Sequence, residues 1–143
     1  MTEDYILNEP SIAYNTLDDR NAYSLISAIK KGIEYTFFEK LAQISSFTIS
    51  DWSTFLHLSE RSIQRYKKES GRFNVTSSEK IVEITMLYKY GIEVFGDKMK
   101  FNTFLNSNNV ALGGVKPKEL LDTSFGITLV KDELMRIEYG VLA

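Results

Sequence analysis

Twenty consecutive residues, Thr76 to Phe95, contain no proline and carry two apolar stripes at helical spacing. Ile81, Ile84, Tyr88, Ile92 and Phe95 make one stripe; Val82, Leu87, Tyr90 and Val94 make the other. Steps of three and four residues are the period of an α-helix, and two stripes on one helix mean burial on two sides. Such a helix needs partners on both flanks, so it is expected to be a central strut between an earlier and a later half. Thr76 and Glu79, as T-x-x-E, form a capping-box signal at its start. Prolines occur only at positions 10 and 117, so helices elsewhere run unbroken. No segment alternates apolar and polar residues in the manner of a strand, and no internal repeat is found. The expected fold class is all-α.

The flanking segments read the same way. Asn21 to Lys31 carries Leu25, Ala28 and Ile29 on one side and stops at Gly32. Tyr35 to Ile44 repeats the pattern through Phe37, Phe38, Leu41 and Ile44. Trp52, Phe55 and Leu56 mark a short helix that Thr48 or Ser50 can cap. Ser59 caps a further short helix from Glu60 to about Ser70, with Gly71 expected to end it in the left-handed conformation. Beyond the Gly96-Asp97 break lies a short amphipathic helix with Phe101, Phe104 and Leu105 inward. A loop from Asn106 ends in Gly113-Gly114, and Pro117 suits a first helical turn. Asp122 or Thr123 caps a last helix to about Tyr139, with Ile127, Val130, Leu134 and Ile137 on one face. Gly140 stops it, leaving Val141-Leu142-Ala143 as a short apolar tail. The expected organisation is a loose arm over residues 1–20, one unit over 21–96 and a second over 97–143.

The 143 residues suffice for two small cores. No apolar run nears the twenty residues of a membrane span. The acidic N-terminus lacks the apolar stretch of a signal peptide, and cysteine is absent, so a cytoplasmic protein without disulfides or thiolate metal sites is expected. The net charge is −2, yet residues 59–72 hold five bases against two acids. That local excess fits either a solvated helix face or a surface for phosphates.

Its setting is Thr48 to Ser70, which has the layout of a helix-turn-helix: a short helix ending near His57, a tight turn through Leu58-Ser59 and a second helix from Glu60. Ile63 and Tyr66 can pack inward, while Arg61, Arg65, Lys68 and Arg72 share the other face. Such a helix can present its N-terminus to base edges and its flank to phosphates. Arg61 and Arg65 have the forked geometry for guanine, and Gln64 the amide for adenine. Two short helices joined by a tight turn also occur as plain scaffold, so the motif alone leaves both readings open.

These features together resemble the Xre/MbcA/ParS-like antitoxin family. Leu58 to Arg65, L-S-E-R-S-I-Q-R, resembles its helix-turn-helix, and Val94 to Asp97, V-F-G-D, closes that half. More specific are N-x-A-L-G-G-x-K-P at Asn109 to Pro117, E-L-L-D-T at Glu119 to Thr123, the lone Gly126, and E-L-x-R-I-E-Y-G-V at Glu133 to Val141. The resemblance covers about residues 21–143. Phe104 stands where the family often has tryptophan, and Ser62 where threonine is usual; Phe keeps an apolar plug and Ser keeps the hydroxyl.

The resemblance implies a two-part protein. The first half would bind operator DNA through Ser59, Arg61, Ser62, Gln64, Arg65 and Lys68 and repress its own operon. The second would bind and silence a cognate toxin, commonly a RES-type enzyme that attacks NAD, using Gly114, Lys116, Pro117, Ile137, Tyr139, Gly140, Val141, Leu142 and Ala143. Ile137 and Tyr139 are the candidate apolar anchors, and the tail is small enough to enter a cleft. A homodimer, or a larger assembly with the toxin, is expected, because one recognition helix touches too few bases for high specificity. No catalytic residue, metal or cofactor is expected: His57 is the single histidine, and Gly113-Gly114 beside Lys116 lacks the phosphate-loop pattern G-x-x-x-x-G-K-[ST]. The remaining alternatives are a stand-alone transcription regulator and an adaptor without DNA contact.

Overall fold

A computed structural model describes residues 19–140. Among them seven α-helices follow one another: α1 (Asp19–Lys31), α2 (Tyr35–Ile44), α3 (Ile49–Leu56), α4 (Glu60–Glu69), α5 (Val75–Phe95), α6 (Lys98–Leu105) and α7 (Ser124–Glu138). Two 3-10 turns, Val110–Leu112 and Pro117–Leu120, lie between α6 and α7. The described residues form no strand, only isolated bridges between Glu34 and Arg72 and between Asn109 and Val115. The chain is all-α. The loose arm expected over residues 1–20 lies, but for its last two residues, outside the described residues, as does the tail from Val141 to Ala143.

Helix α5 is the strut. Ile81, Val82, Ile84, Met86, Leu87, Tyr88 and Tyr90 are all buried, because α1 and α3 pack on it from one half and α6 and α7 from the other. Its start differs from the T-x-x-E expectation. Asn74 is the cap: its backbone is extended and its Oδ1 accepts the Ser77 N–H at 2.8 Å. Thr76 and Glu79 therefore lie within the helix. Two cap signals overlap in this stretch, and the earlier one, at Asn74, caps the helix. Ser77 Oγ donates to the Leu56 carbonyl at 3.1 Å, and Ser78 Oγ accepts the Ile33 N–H at 2.9 Å while donating to the Phe73 carbonyl. Each is a buried polar group with its partner found.

A second boundary also moves. Ser70, not Gly71, adopts the left-handed conformation at the end of α4, with φ 51° and ψ 42°. Gly71 meanwhile donates to the Tyr66 carbonyl at 3.1 Å, closing the turn. Glycine is required instead at two close approaches. A Cβ on Gly91 would stand 2.3 Å from the Phe101 ring, and one on Gly126 only 1.7 Å from the Leu120 carbonyl oxygen. The first lets α6 press onto α5; the second lets α7 start against the Pro117–Leu120 turn. The buried side chains form one continuous cluster from Leu25 to Leu134. Its aromatic centre is Trp52, ringed edge-on by Phe38, Phe47 and Phe55, with Tyr88 joining Phe47 to Phe101.

Candidate functional site

The turn between α3 and α4 is built from local capping. Thr48 and Asp51 form a reciprocal capping box at the start of α3. At its end His57 takes the left-handed conformation, φ 55° and ψ 42°. Leu58 donates its N–H to the Ser53 carbonyl at 3.2 Å, while Ser53 Oγ returns a hydrogen bond to the Leu58 carbonyl. Ser59 then caps α4, its Oγ accepting the Ser62 N–H at 3.0 Å and donating to Ser62 Oγ. Both hydroxyls are thus held at the N-terminus of the helix. Ile63 is buried, and half-buried Tyr66 lies 4.7 Å from the Phe73 ring, centroid to centroid. This fixes which side of α4 faces out: Arg61, Gln64, Arg65 and Lys68 are all exposed.

Arg72 does not belong to that face. It lies beyond the end of α4, where helical phase no longer applies, and its guanidinium turns back to the Gly32 carbonyl and to Glu34, each at 2.6 Å. It ties the end of α4 to the α1–α2 junction.

The later half is tied to the same turn. The Pro117–Leu120 segment and the residues after it reach α3 twice. Lys118 Nζ lies 3.5 Å from Asp51 Oδ2, and His57 Nε2 lies 3.0 Å from the Asp122 carbonyl oxygen. Thr123 caps α7 by accepting the Gly126 N–H at 3.0 Å.

Of the partner-binding candidates, Gly114 is exposed with φ +83°, and Lys116 is half-buried with its N–H donated to Glu119 Oε2. Pro117 is buried, so it shapes the turn and offers no contact surface. Ile137 belongs to the exposed side of α7 more than to its inner face, which Ile127, Val130 and Leu134 fill. Tyr139 and Gly140 are exposed at the helix end; Val141, Leu142 and Ala143 lie outside the described residues. Four exposed apolar side chains of this half, Met99, Val110, Phe125 and Leu129, were not singled out by the sequence. The last two were visible as an i, i+4 apolar pair off the core stripe of α7.

The described residues hold no group of three or more histidine, aspartate and glutamate side chains able to ligate a metal. Burial raises the titrations of Tyr35, Tyr88, Tyr90 and Glu83. Burial, then the hydrogen bond it donates to Glu138, holds the Tyr90 hydroxyl above its ordinary value. Burial holds the Glu83 carboxyl above its own, offset in part by Lys80 and by a hydrogen bond from Ser124.

Two known protein families match. The Antitoxin Xre-like helix-turn-helix domain matches residues 24–85, and the Antitoxin Xre/MbcA/ParS C-terminal toxin-binding domain matches residues 91–140. Among curated proteins, the chain is similar to the "Antitoxin Xre" of Photorhabdus laumondii, 27% identical over 120 residues that span 83% of this chain and 81% of the relative. It is 28% identical, over the same shares, to the "Antitoxin Xre" of Yersinia enterocolitica serotype O:8. No helix among the described residues is long and apolar enough to cross a membrane.

Proposed function

The chain belongs to the Xre/MbcA/ParS antitoxin family, and from that premise we propose that it neutralises a RES-type, NAD-attacking toxin and represses the operon encoding the pair. The observation that carries this reading is the pairing of two surfaces on one rigid core. A capped, cationic helix of helix-turn-helix geometry lies on one side of α5, and a domain of the toxin-binding type lies on the other.

In this reading residues 21–96 serve DNA and residues 97–143 serve the toxin. Helix α4 enters the major groove with its N-terminus at the bases. Arg61 and Arg65 pair with guanine and Gln64 with adenine, Lys68 lies along the phosphates, and Ser59 and Ser62 orient the helix start. The chain acts as a dimer on a two-fold operator. It performs no chemistry of its own: Gly114, Lys116, Ile137, Tyr139 and Gly140 contact the toxin, and Val141 to Ala143 block its cleft.

The test is to express the neighbouring gene product alone and together with this chain. Growth arrest by the first, relieved by the second, is the expected result, together with a mobility shift of the operon's promoter fragment. A shift without relief would make the chain a stand-alone regulator.

A further inference from the structure

The outer face of α7 carries a strip of side chains that no core uses. Phe125, Leu129, Asp132, Arg136 and Tyr139 recur at alternating steps of four and three residues, so they line one side of the helix. Phe125 is 89% exposed, Leu129 51% and Tyr139 66%. The opposite side, Ile127, Val130 and Leu134, is already spent on the packing against α5.

The 3-10 turn packed against α7 carries a second exposed apolar group, Val110, which is 93% exposed. Val110 sits in a loop that leaves its backbone little freedom. The Asn109 N–H donates to the Val115 carbonyl at 2.9 Å, and the Gly114 N–H donates to the Asn109 carbonyl at 2.8 Å. Asn109 Oδ1 accepts the Leu112 N–H at 3.1 Å, and Gly113 and Gly114 supply the positive φ the turn needs. The loop is fastened to α7 as well. Asn109 Nδ2 reaches Glu133 Oε2 at 3.4 Å, and Glu133 Oε1 accepts from Arg136 Nε at 3.0 Å.

We propose that the α7 strip of Phe125, Leu129 and Tyr139, with Val110 as a fixed knob beside it, is the surface that supplies affinity for the toxin. This rests on the antitoxin reading above. Isolated exposed apolar residues are ordinary, but four on two adjoining elements, one of them held by a hydrogen-bonded loop, make a contact patch. Holding the knob in place before binding removes an ordering cost that a mobile loop would incur. The occupant is the toxin and not a second copy because the whole patch lies within residues 91–140, the stretch matching the toxin-binding domain. The complementary toxin surface is apolar where it meets Phe125, Leu129 and Val110.

The test uses the full chain and the purified toxin encoded beside it. Val110→Asp and Leu129→Arg each weaken binding by at least about tenfold, as expected of side chains at the centre of an interface. Helicity, melting temperature, oligomeric state and operator binding stay those of the native chain, since both side chains are exposed. If the native chain binds the toxin and both variants bind it equally well, this surface is wrong while the antitoxin reading stands. Lost binding accompanied by a change in the chain's own oligomeric state would make the patch a self-interface and overturn the proposal. A native chain that does not bind the toxin at all overturns both.

Discussion

His57 Nε2 lies 3.0 Å from the main-chain oxygen of Asp122, sixty-five residues further along the chain. A carbonyl can only accept, so Nε2 carries the proton and donates it. The bond joins the left-handed end of α3, one residue before Leu58-Ser59, to the residue preceding the cap of α7. Together with the Lys118–Asp51 pair and the hydrogen bonds from Asn102 to the Ile44 carbonyl and from Asn106 to Ser46, it joins the two halves away from α5.

Replacing His57 with glycine tests that link. Glycine relieves a left-handed strain of about 1 kcal/mol and removes a hydrogen bond worth about 1 kcal/mol, so stability changes little. The communication between halves does change. Operator affinity measured with and without toxin differs in the native chain, and the difference shrinks in His57→Gly. An equal difference in both proteins places the coupling, which is reciprocal by linkage, outside the His57–Asp122 bond.

The exposed face of α4 and the displaced Arg72 separate cleanly. Arg61→Ala and Arg65→Ala weaken operator binding by about 1–3 kcal/mol each and relax the choice of base. Lys68→Ala weakens all sequences alike and reduces the salt slope by about one phosphate contact. Arg72→Ala lowers stability by about 1 kcal/mol or less for so exposed a pair, and leaves the salt slope untouched. A reduced slope in Arg72→Ala, read from mobility shifts at several salt concentrations, would return Arg72 to the DNA face.

Gly126→Ala is expected to be among the most damaging single-methyl changes in the molecule. The added carbon would meet the Leu120 carbonyl oxygen at 1.7 Å, and backbone cannot swing aside as a side chain can. Shifting α7 off the Pro117–Leu120 turn costs about 1–3 kcal/mol or more. Chemical denaturation checks this; a midpoint equal to that of the native chain would mean that the approach is not so close.

Most helices were legible in the sequence because their signals are local. Ser59, Thr123 and Gly96 sit at element ends for reasons of capping that need only a few neighbouring residues. What escaped depends on tertiary partners. The direction of Arg72 is decided by Glu34 and Gly32, some forty residues earlier. Val110 looks like a core residue in one dimension, and only the packed fold leaves it outside, whereas Phe125 and Leu129 stand off the core stripe of α7 in the sequence itself. The His57–Asp122 bond has no signature in spacing at all.

Glu83 gives a pH signature. Its carboxyl is raised above the ordinary value of 4.5 chiefly by burial, so the folded chain takes up this proton at higher pH than the unfolded chain does. Stability from this group therefore falls as pH rises from the ordinary carboxylate value through the raised one, and stays lower above it. Glu83→Gln keeps an acceptor for Ser124 without the charge. The variant melts higher than the native chain at pH 7, and the gap closes below pH 4.5. A variant that melts lower at pH 7 would show that ionised Glu83 is stabilising.

The central claim is that this chain silences its neighbour by binding it. Purified toxin is incubated with NAD while the full chain is titrated in, and NAD consumption is followed. The account predicts a fall to background as the chain reaches stoichiometric amounts. Undiminished consumption at a large excess of folded chain would contradict it.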